Sequence, residues 1–303
     1  MEIKWIVLSI VSHTAWGGYP VLARYLQKIH HISTMSLSAM TNLLAVAVLF
    51  LLFFPHINMK AISWKDWFYF SLIVIARNLL NLYSARLTYA NNIQLFSLLA
   101  PFLVAFFSKT IFKEVLPRHT GTALLFCLLG AVFMIFGSSK GNIVAGVQNN
   151  LNWLGIVLAI AGGVLLAMLM LVIKYVGKKG ANAETMAFVQ FGVLSIFMLP
   201  GSIMVKEDWT PWLSLPLSGI IVCLAYSLII LLLGTILQNN SIKKLGAATY
   251  TTIQAWRLIS TIAFSWIFMG EGIETIWQGL GALIVMAVVT LYMLSQKQER
   301  KNR

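Results

Sequence analysis

Apolar residues recur along the chain in long runs that short polar or charged stretches separate. Each run is about as long as the ~20 residues that an α-helix needs to cross a bilayer. Unpaired backbone groups are costly in lipid, and the runs lack the alternation of β-barrel strands, so we predict an all-α polytopic membrane protein. Ten runs predict ten transmembrane helices, at 3–23, 34–54, 67–88, 92–112, 119–137, 151–173, 183–204, 215–237, 246–268 and 275–294.

The composition supports this class. Of the 303 residues, 59% are apolar and 10% are charged, and the mean hydropathy is +0.83. A soluble domain carries about 25% charged residues, so this chain has too few to cover a water-facing surface. The composition therefore excludes a soluble enzyme, a nucleic-acid-binding protein, a secreted disulfide scaffold and a disordered chain.

Basic residues are distributed unevenly among the segments that separate the apolar runs. The chain has 22 Lys and Arg against 9 acidic residues. If the N-terminus is cytoplasmic, fifteen Lys and Arg fall on the cytoplasmic side and four on the other. The positive-inside rule then predicts that both termini are cytoplasmic. The membrane is expected to be a bacterial plasma membrane. We expect the first run to be retained as a helix, since it is long for a signal peptide and contains His13 and Pro20.

The chain contains an internal repeat. Glu114 follows the fourth run and Glu271 follows the ninth, 157 residues later. Each repeat has five helices, an odd number, so the second repeat is predicted to be inverted relative to the first, with a binding site where the two meet. The predicted units are a first repeat at 1–137, a linker at 138–150, a second repeat at 151–295 and a basic cytoplasmic tail at 296–303.

Several short motifs occur in a characteristic order and spacing. They are Ala15-Trp16-Gly17, Ala85 with Pro101 and Lys113-Glu114, Lys243-Lys244-Leu245-Gly246-Ala247-Ala248, and Gly270-Glu271. Together they resemble the drug/metabolite transporter superfamily, in particular its EamA-type ten-helix branch. The resemblance implies a basket of ten helices, with a cavity lined by helices 1–4 and 6–9 and with export as the commoner direction of transport. The chain departs from the family in lacking a ninth-helix proline and in carrying Arg77 and Arg257, which are not general family features.

Two arginines lie near the middle of predicted spans, where a charge is costly and usually marks function. Arg77 shares a helical face with Asn81, and Arg257 shares one with Tyr250 and Gln254. If these faces meet in a cavity, the arginines would bind an anionic group of the substrate. The alternative is that each arginine only satisfies backbone carbonyls at a helix break.

Further residues are candidates for the same substrate site. His13 is predicted to be a hydrogen-bonded cavity residue, a proton relay or a structural residue. Pro101 is predicted to free a carbonyl near residue 97, with Ser97 and Gln94 on the same side, and to serve either as a hinge at the cavity or as a static kink. Arg86 is predicted to reach the outer headgroups, and Gly162-Gly163 to be a point of close helix packing. Deep aromatic residues would either stack on substrate or serve in packing: Trp16, Tyr83, Tyr226 and Trp256.

These features favour a secondary transporter that works by alternating access as a uniporter or an exchanger. All nine acidic residues are terminal, in loops or at the ends of predicted spans, and no phosphate-binding Gly-Lys-Ser/Thr loop occurs, so sodium coupling and an ATP motor are not expected. The predicted partners are the lipid bilayer and a small metabolite that carries a carboxylate, such as an amino acid. No catalytic residue, cofactor, metal or nucleic acid is expected, and a homodimer is left open. One alternative is an exchanger of phosphorylated or dicarboxylate anions, and another is a non-transporting membrane subunit or lipid-binding protein.

Overall fold

The computed structural model of the chain is mostly helical in the part that it describes, and that part contains no β-strand. The first half has α1 (Glu2–Lys28), α2 (Thr34–Phe53), α3 (Trp64–Leu87), α4 (Ala90–Ser97), α5 (Leu99–Thr110) and α6 (Thr120–Ser138). The second half has α7 (Asn152–Lys178), α8 (Ala183–Met204), α9 (Thr210–Leu213), α10 (Leu217–Leu224), α11 (Gly234–Leu245), α12 (Ala247–Thr252), α13 (Trp256–Met269) and α14 (Ile276–Lys301). The described residues are 2–88, 90–110, 113, 119–138, 152–270 and 275–301.

Six described helical stretches are long and apolar enough to cross a membrane by themselves. They are Lys4–Lys28, Thr34–His56, Trp64–Leu87, Trp153–Lys178, Ala183–Met204 and Leu217–Leu245. Other predicted spans are shorter or interrupted, so the count of ten and the side on which the termini lie remain predictions. Most of the predicted linker 138–150 lies outside the described residues, as do Glu114 and Glu271, whereas the predicted tail continues α14 to Lys301.

Two breaks divide spans that the apolar runs predicted as single helices. The first falls at Leu98, between α4 and α5, because Pro101 has no N–H to donate and its ring crowds the carbonyl of Ser97. The second is a 3₁₀ turn over Ile253–Ala255, between α12 and α13. Both breaks lie close to residues that the sequence marks as candidates for substrate binding.

One long span is uninterrupted but not uniformly α-helical. Between α10 and α11 the chain forms a π-helix over Ala225–Leu233, and the whole stretch continues to Leu245. The predicted run ended at residue 237 because Gln238-Asn239-Asn240 is polar. Gln238 and Asn239 are nevertheless buried, so they lie within the helix bundle rather than in a loop.

The helices pack in a pattern that relates the two halves of the chain. Helix α2 packs on α8, and α6 packs on α14. The contact of α3 with α7 is matched by that of α10 and α11 with α1, and the contact of α1 with α13 is matched by that of α7 with α4 and α5. Each contact between the two repeats thus has an equivalent contact in which the repeats have changed places. Two five-helix repeats related by a two-fold axis produce this pattern.

The opening helices of the two repeats also match in sequence at an offset of 150 residues. Ile6-Val7-Leu8 and Tyr25 of α1 recur as Ile156-Val157-Leu158 and Tyr175 of α7. The match fails in the middle, where Ser12-His13 of α1 is replaced by two glycines of α7. The polar residues of α1 lie at the centre of the site described next, so the two repeats contribute different chemistry to it.

Candidate functional site

Two guanidinium groups meet at the indole of Trp16. The Cζ of Arg77 lies 5.4 Å from the centroid of the Trp16 ring, and the Cζ of Arg257 lies 5.6 Å from it. The two charges are therefore no more than about 11 Å apart, although they come from helices α3 and α13 of different repeats. An aromatic face attracts a cation by about 0.5–2 kcal/mol, which offsets only part of the cost of burying two like charges.

A close contact between α1 and α13 brings Trp16 and His13 to Arg257. Gly17 allows this contact, since a Cβ at this position would lie 2.9 Å from the carbonyl oxygen of Arg257. Thr261 ties the same two helices by donating to the carbonyl of Gly17 at 2.8 Å. In the Trp-Gly pair of the first span, Trp16 therefore contacts the arginines while Gly17 allows α1 and α13 to pack closely.

The guanidinium of Arg257 is held by neutral side chains. Its Nε donates to Nδ1 of His13 at 2.9 Å, and one terminal nitrogen lies 3.3 Å from Oε1 of Gln238 and 3.5 Å from the hydroxyl of Tyr250. Arg257 is only 2% exposed. Ser12 extends the network, with its hydroxyl 2.9 Å from that of Tyr250. Arg257 is thus fixed in place before any substrate arrives.

The bonds of His13 define its protonation. Arg257 can only donate to Nδ1, and the backbone carbonyl of Tyr250, 2.9 Å from Nε2, can only accept. His13 must therefore be the neutral tautomer with its proton on Nε2. The imidazole ring also lies against the Tyr250 ring, with centroids 4.2 Å apart. A second positive charge at this position would face Arg257 directly.

Arg77 is buried like Arg257, but its guanidinium is held by fewer hydrogen bonds among the described residues. It is 8% exposed, and its Nε has no hydrogen-bond partner among the described residues. Leaving a buried donor unpaired costs about 1–3 kcal/mol, and more for a charged group. A hydrogen-bond acceptor that entered beside Arg77 would therefore offset this cost, which no side chain of the described residues offsets.

Arg77 faces a narrow cavity between the two repeats. The cavity measures about 330 Å³ between its lining atoms, and about 20 Å³ of it can take the centre of a water molecule. That space holds a few water molecules at most, so a metabolite enters only if the helices move apart. The lining consists of Trp16, Tyr19, Arg77, Asn81, Ile93, Gln94, Ser97, Ala159, Gly162, Gly163, Leu166 and Arg257, with no acidic side chain among these described residues.

The break between α4 and α5 supplies polar backbone beside this cavity. The carbonyl of Ser97 accepts a 2.8 Å hydrogen bond from Nε2 of Gln254. The hydroxyl of Ser97 donates to the carbonyl of Gln94 at 2.6 Å, and Nε2 of Gln94 donates to the carbonyl of Trp16 at 3.1 Å. These bonds connect the 3₁₀ turn that precedes α13 with α4 and α1 around the cavity. Oε1 of Gln254 is buried and has no partner in the described part of the chain.

The structure brings most of the predicted site residues together. Trp16, Arg77, Asn81, Ser97 and Arg257 line the cavity. Three others lie one contact behind this lining, in hydrogen bonds with it: His13, Tyr250 and Gln254. Pro101 follows the helix break by three residues.

Three predicted aromatic residues do not line this cavity. Tyr226 stacks on Tyr19 with ring centroids 5.6 Å apart, behind the wall. Trp256 donates from Nε1 to the hydroxyl of Thr14 at 3.0 Å. Tyr83 is half-buried on α3, near enough to Glu207 and Arg86 for their charges to act on it.

Several residues of the site were not predicted. Tyr19 lines the cavity, beside Gln94 and Ser97, which were placed on one side of α4 by the sequence, and Gln238 holds Arg257. A signal for Gln238 exists in the sequence: it follows Asn81 by 157 residues, the same distance that separates Glu114 from Glu271. The repeat therefore places a side-chain amide at equivalent points of both halves. Among the described residues, no three or more His, Cys, Asp or Glu lie together in a group that could hold a metal ion.

Fold and site together define a two-repeat helical membrane protein with a buried cationic cavity between its repeats. The model of the EamA-like transporter family matches residues 3–136 and 153–294. The chain therefore belongs to the EamA-like transporter family, which confirms the resemblance and assigns the protein to the membrane transporters. A solved structure described as "Crystal structure of protein" is similar in fold, with a TM-score of 0.73 and 13% identity over 98% of this chain and 99% of that chain. No curated protein matches.

Proposed function

We propose that this transporter moves a small organic solute with a carboxylate group, such as an amino acid, across a bacterial plasma membrane by alternating access. The solute's carboxylate would bind Arg77. The observation that carries the proposal is the buried Arg77 guanidinium, whose Nε is unpaired among the described residues and which faces a cavity between the repeats. Export, which is the commoner direction in the resemblance, and a uniport or exchange mode complete the proposal; the mode is supported by the placement of all nine acidic residues at the termini, in loops or at the ends of predicted spans.

The two arginines have different roles in this proposal. Arg257 already donates to His13 and Gln238, so its position is fixed by the protein. Arg77 has an unused hydrogen-bond donor in its Nε, among the described residues. Charge-assisted hydrogen bonds from a guanidinium to a carboxylate are about twice as strong as bonds between neutral groups. Arg257 would then contribute positive potential, while Trp16 and Tyr19 form an apolar wall for the rest of the solute.

Buried acceptors support a zwitterionic solute. An ammonium group needs hydrogen-bond acceptors, and the unpaired Oε1 of Gln254 lies on the residue that bonds Ser97 at the cavity wall. A solute with one carboxylate and one ammonium group would use Arg77 at one end and the amide and carbonyl oxygens near Ser97 at the other.

An exchanger of phosphorylated or dicarboxylate anions is a second candidate function. It is favoured by the two guanidinium groups at Trp16, which have no acidic residue in the described lining to balance them. A non-transporting lipid-binding protein has less support, because Arg77 and Arg257 are buried around a polar cavity rather than directed at lipid.

Ligand binding to the purified protein tests the proposal first. We would screen amino acids, dicarboxylates and sugar phosphates for thermal stabilisation, which grows with ligand concentration over Kd. Arg77→Gln is expected to weaken binding of the best ligand by about 30-fold or more, as for loss of a buried charged partner. Arg86→Gln is the matched control, because Arg86 lies on the same helix but is exposed.

Transport in proteoliposomes then separates the two candidates. Net flux of an amino acid without a counter-solute supports the main proposal, whereas strict anion-for-anion counterflow supports the exchanger. If Arg77→Gln binds and transports as wild type does, the assignment of the carboxylate to Arg77 is wrong.

A further inference from the structure

Helices α2 and α8 are joined at both ends. They pack side by side, and the segment that follows each helix bonds to the first turn of the other. The pair is therefore antiparallel and has one such contact at each end. Helix α2 belongs to the first repeat and α8 to the second, so both contacts join the two repeats.

At one end the cap is a carboxylate. Oε1 of Glu207 accepts from the backbone N–H of Met35 at 2.9 Å, and Oε2 accepts from that of Ser36 at 2.7 Å. The first N–H groups of a helix lack partners within it and carry partial positive charge, so a carboxylate is a strong ligand for them. Trp212 adds a bond from Nε1 to the hydroxyl of Ser36 at 3.1 Å. We name the Glu207 contact with Met35 and Ser36 the Glu207 latch.

At the other end the contact is made by neutral groups, and the first turn of α8 is capped by its own Asn182, whose Oδ1 accepts from the N–H of Thr185 at 2.8 Å. Asn182 donates from Nδ2 to the carbonyl of His56, and the N–H of Asn58 donates to the hydroxyl of Thr185 at 2.9 Å. We name these two contacts the Asn182 latch. Beside it, Nζ of Lys179 lies 2.8 Å from Oδ2 of Asp66, which joins the end of α7 to the start of α3.

Both latches are closed in this structure, in which the central cavity is too narrow for a metabolite. The Glu207 latch lies at the end of α3 that carries Tyr83 and Arg86, about two turns beyond Arg77. Helix α2 is also bonded to the neighbour of Arg77, since the hydroxyl of Ser38 donates to Oδ1 of Asn78 at 2.8 Å. Helix α2 is therefore part of the wall between this face and Arg77. If Glu207 releases α2, the start of α2 is free to move and to open a route from this face to Arg77.

We infer that Glu207 is a gating residue that closes one face of the transporter by clamping the second repeat onto α2, and that the Asn182 latch closes the opposite face. Alternating access would then require one latch to open while the other stays closed. The inference rests on the proposed transport function, but it concerns which face opens and not which solute is carried. The positive-inside prediction places the Glu207 face outside.

Side-specific labelling of one cysteine tests the inference without any substrate. Ser97→Cys places a thiol in the cavity lining, in a background with Cys127→Ala and Cys223→Ala. A membrane-impermeant thiol reagent is applied to one face of oriented proteoliposomes at a time. Glu207→Gln is expected to raise the labelling rate from the Glu207 face about tenfold, because hydrogen bonds to a charged group are lost. Glu207→Ala removes both acceptors and should raise it at least as much.

Two comparisons make the outcome decisive. Asp208→Asn is the matched control, because the Asp208 carboxylate bonds only to Thr210 of its own loop among the described contacts; it should leave both rates unchanged. Asn182→Ala should raise labelling from the opposite face only. Equal acceleration from both faces, no acceleration, or acceleration from the wrong face after Glu207→Gln would each overturn the inference. If the latches respond as expected but no solute is transported, the proposed function fails and the gating assignment stands.

Discussion

Arg257 donates from Nε to Nδ1 of His13 across 2.9 Å, between residues that are 244 positions apart in the chain. A charged group is thus anchored on a neutral ring, whose other nitrogen donates to the Tyr250 carbonyl. The arrangement allows a guanidinium to be buried without a carboxylate beside it. Its cost in desolvation is offset in part by charge-assisted hydrogen bonds.

The bonds of His13 predict a specific tautomer. ¹⁵N NMR of histidine-labelled protein should show one ring with a proton on Nε2 and none on Nδ1, since Nδ1 accepts from Arg257. The chain has five histidines, so the His13 signal is assigned by its loss in His13→Gln. An imidazolium signal or an Nδ1–H tautomer at this position would contradict the described network.

Arg77 and Arg257 should respond differently to the same substitution. Arg257→Gln breaks bonds to His13 and Gln238, so the free protein should lose about 1–3 kcal/mol and its Tm should fall by about 2–4 °C per kcal/mol. Arg77→Gln removes a guanidinium group whose Nε has no hydrogen-bond partner among the described residues, so the Tm of the free protein should not fall.

The matching measurement is the Tm with and without the best ligand from the screen. Arg77→Gln should abolish the ligand-dependent increase while keeping the basal Tm. Equal destabilisation by the two substitutions would show that Arg77 is as much a part of the scaffold as Arg257.

The exposed ion pair beside the Asn182 latch predicts a pH dependence with a definite sign. The hydrogen bond that Asp66 accepts raises the pKa of Lys179 above its usual value. A raised lysine pKa contributes stability below the usual lysine pKa, and this contribution is lost only as the pH rises through the raised value. The pair should therefore persist from pH 6 to pH 9. An NMR titration of labelled lysines should show the Lys179 pKa falling in Asp66→Asn; an unchanged Lys179 pKa would contradict the pairing.

Much of the scaffold could be predicted from the apolar pattern. The run 183–204 coincides with α8, and 34–54 ends one residue beyond α2. Hydropathy fails where polar residues are buried within the bundle: the run that stopped at residue 237 continues as helix to Leu245 because Gln238 and Asn239 face other helices. The π-helix at Ala225–Leu233 has no corresponding feature in the apolar pattern.

The candidate site could be predicted only in part. A charge inside an apolar run is visible in any sequence, so Arg77 and Arg257 stand out. Their different roles depend on partners from distant segments, such as His13 and Gln238, and local periodicity contains no information about these. The same limit applies to Tyr83 and Trp256, whose depth along a helix could be read from the sequence although the direction of their side chains could not.

The paired glycines of α7 provide a test of the cavity itself. A Cβ at Gly162 would meet Oδ1 of Asn81, the end of a flexible side chain, whereas a Cβ at Gly163 would meet the backbone carbonyl of Phe96. A side chain can rotate away from an added methyl group, but the backbone of α4 cannot move without shifting the helix. Gly163→Ala should therefore lower the Tm by several degrees, since overpacking costs about 1–3 kcal/mol.

Gly162→Ala should affect ligand binding rather than the stability of the free protein. It should leave the basal Tm nearly unchanged but displace Asn81 from its place in the cavity lining, so that ligand-dependent stabilisation decreases. The two variants differ by one position and add the same atom, so each controls for the other in one thermal-shift experiment. If both lower the Tm equally and leave the ligand effect intact, Asn81 has no part in binding, and the cavity between the repeats serves packing alone.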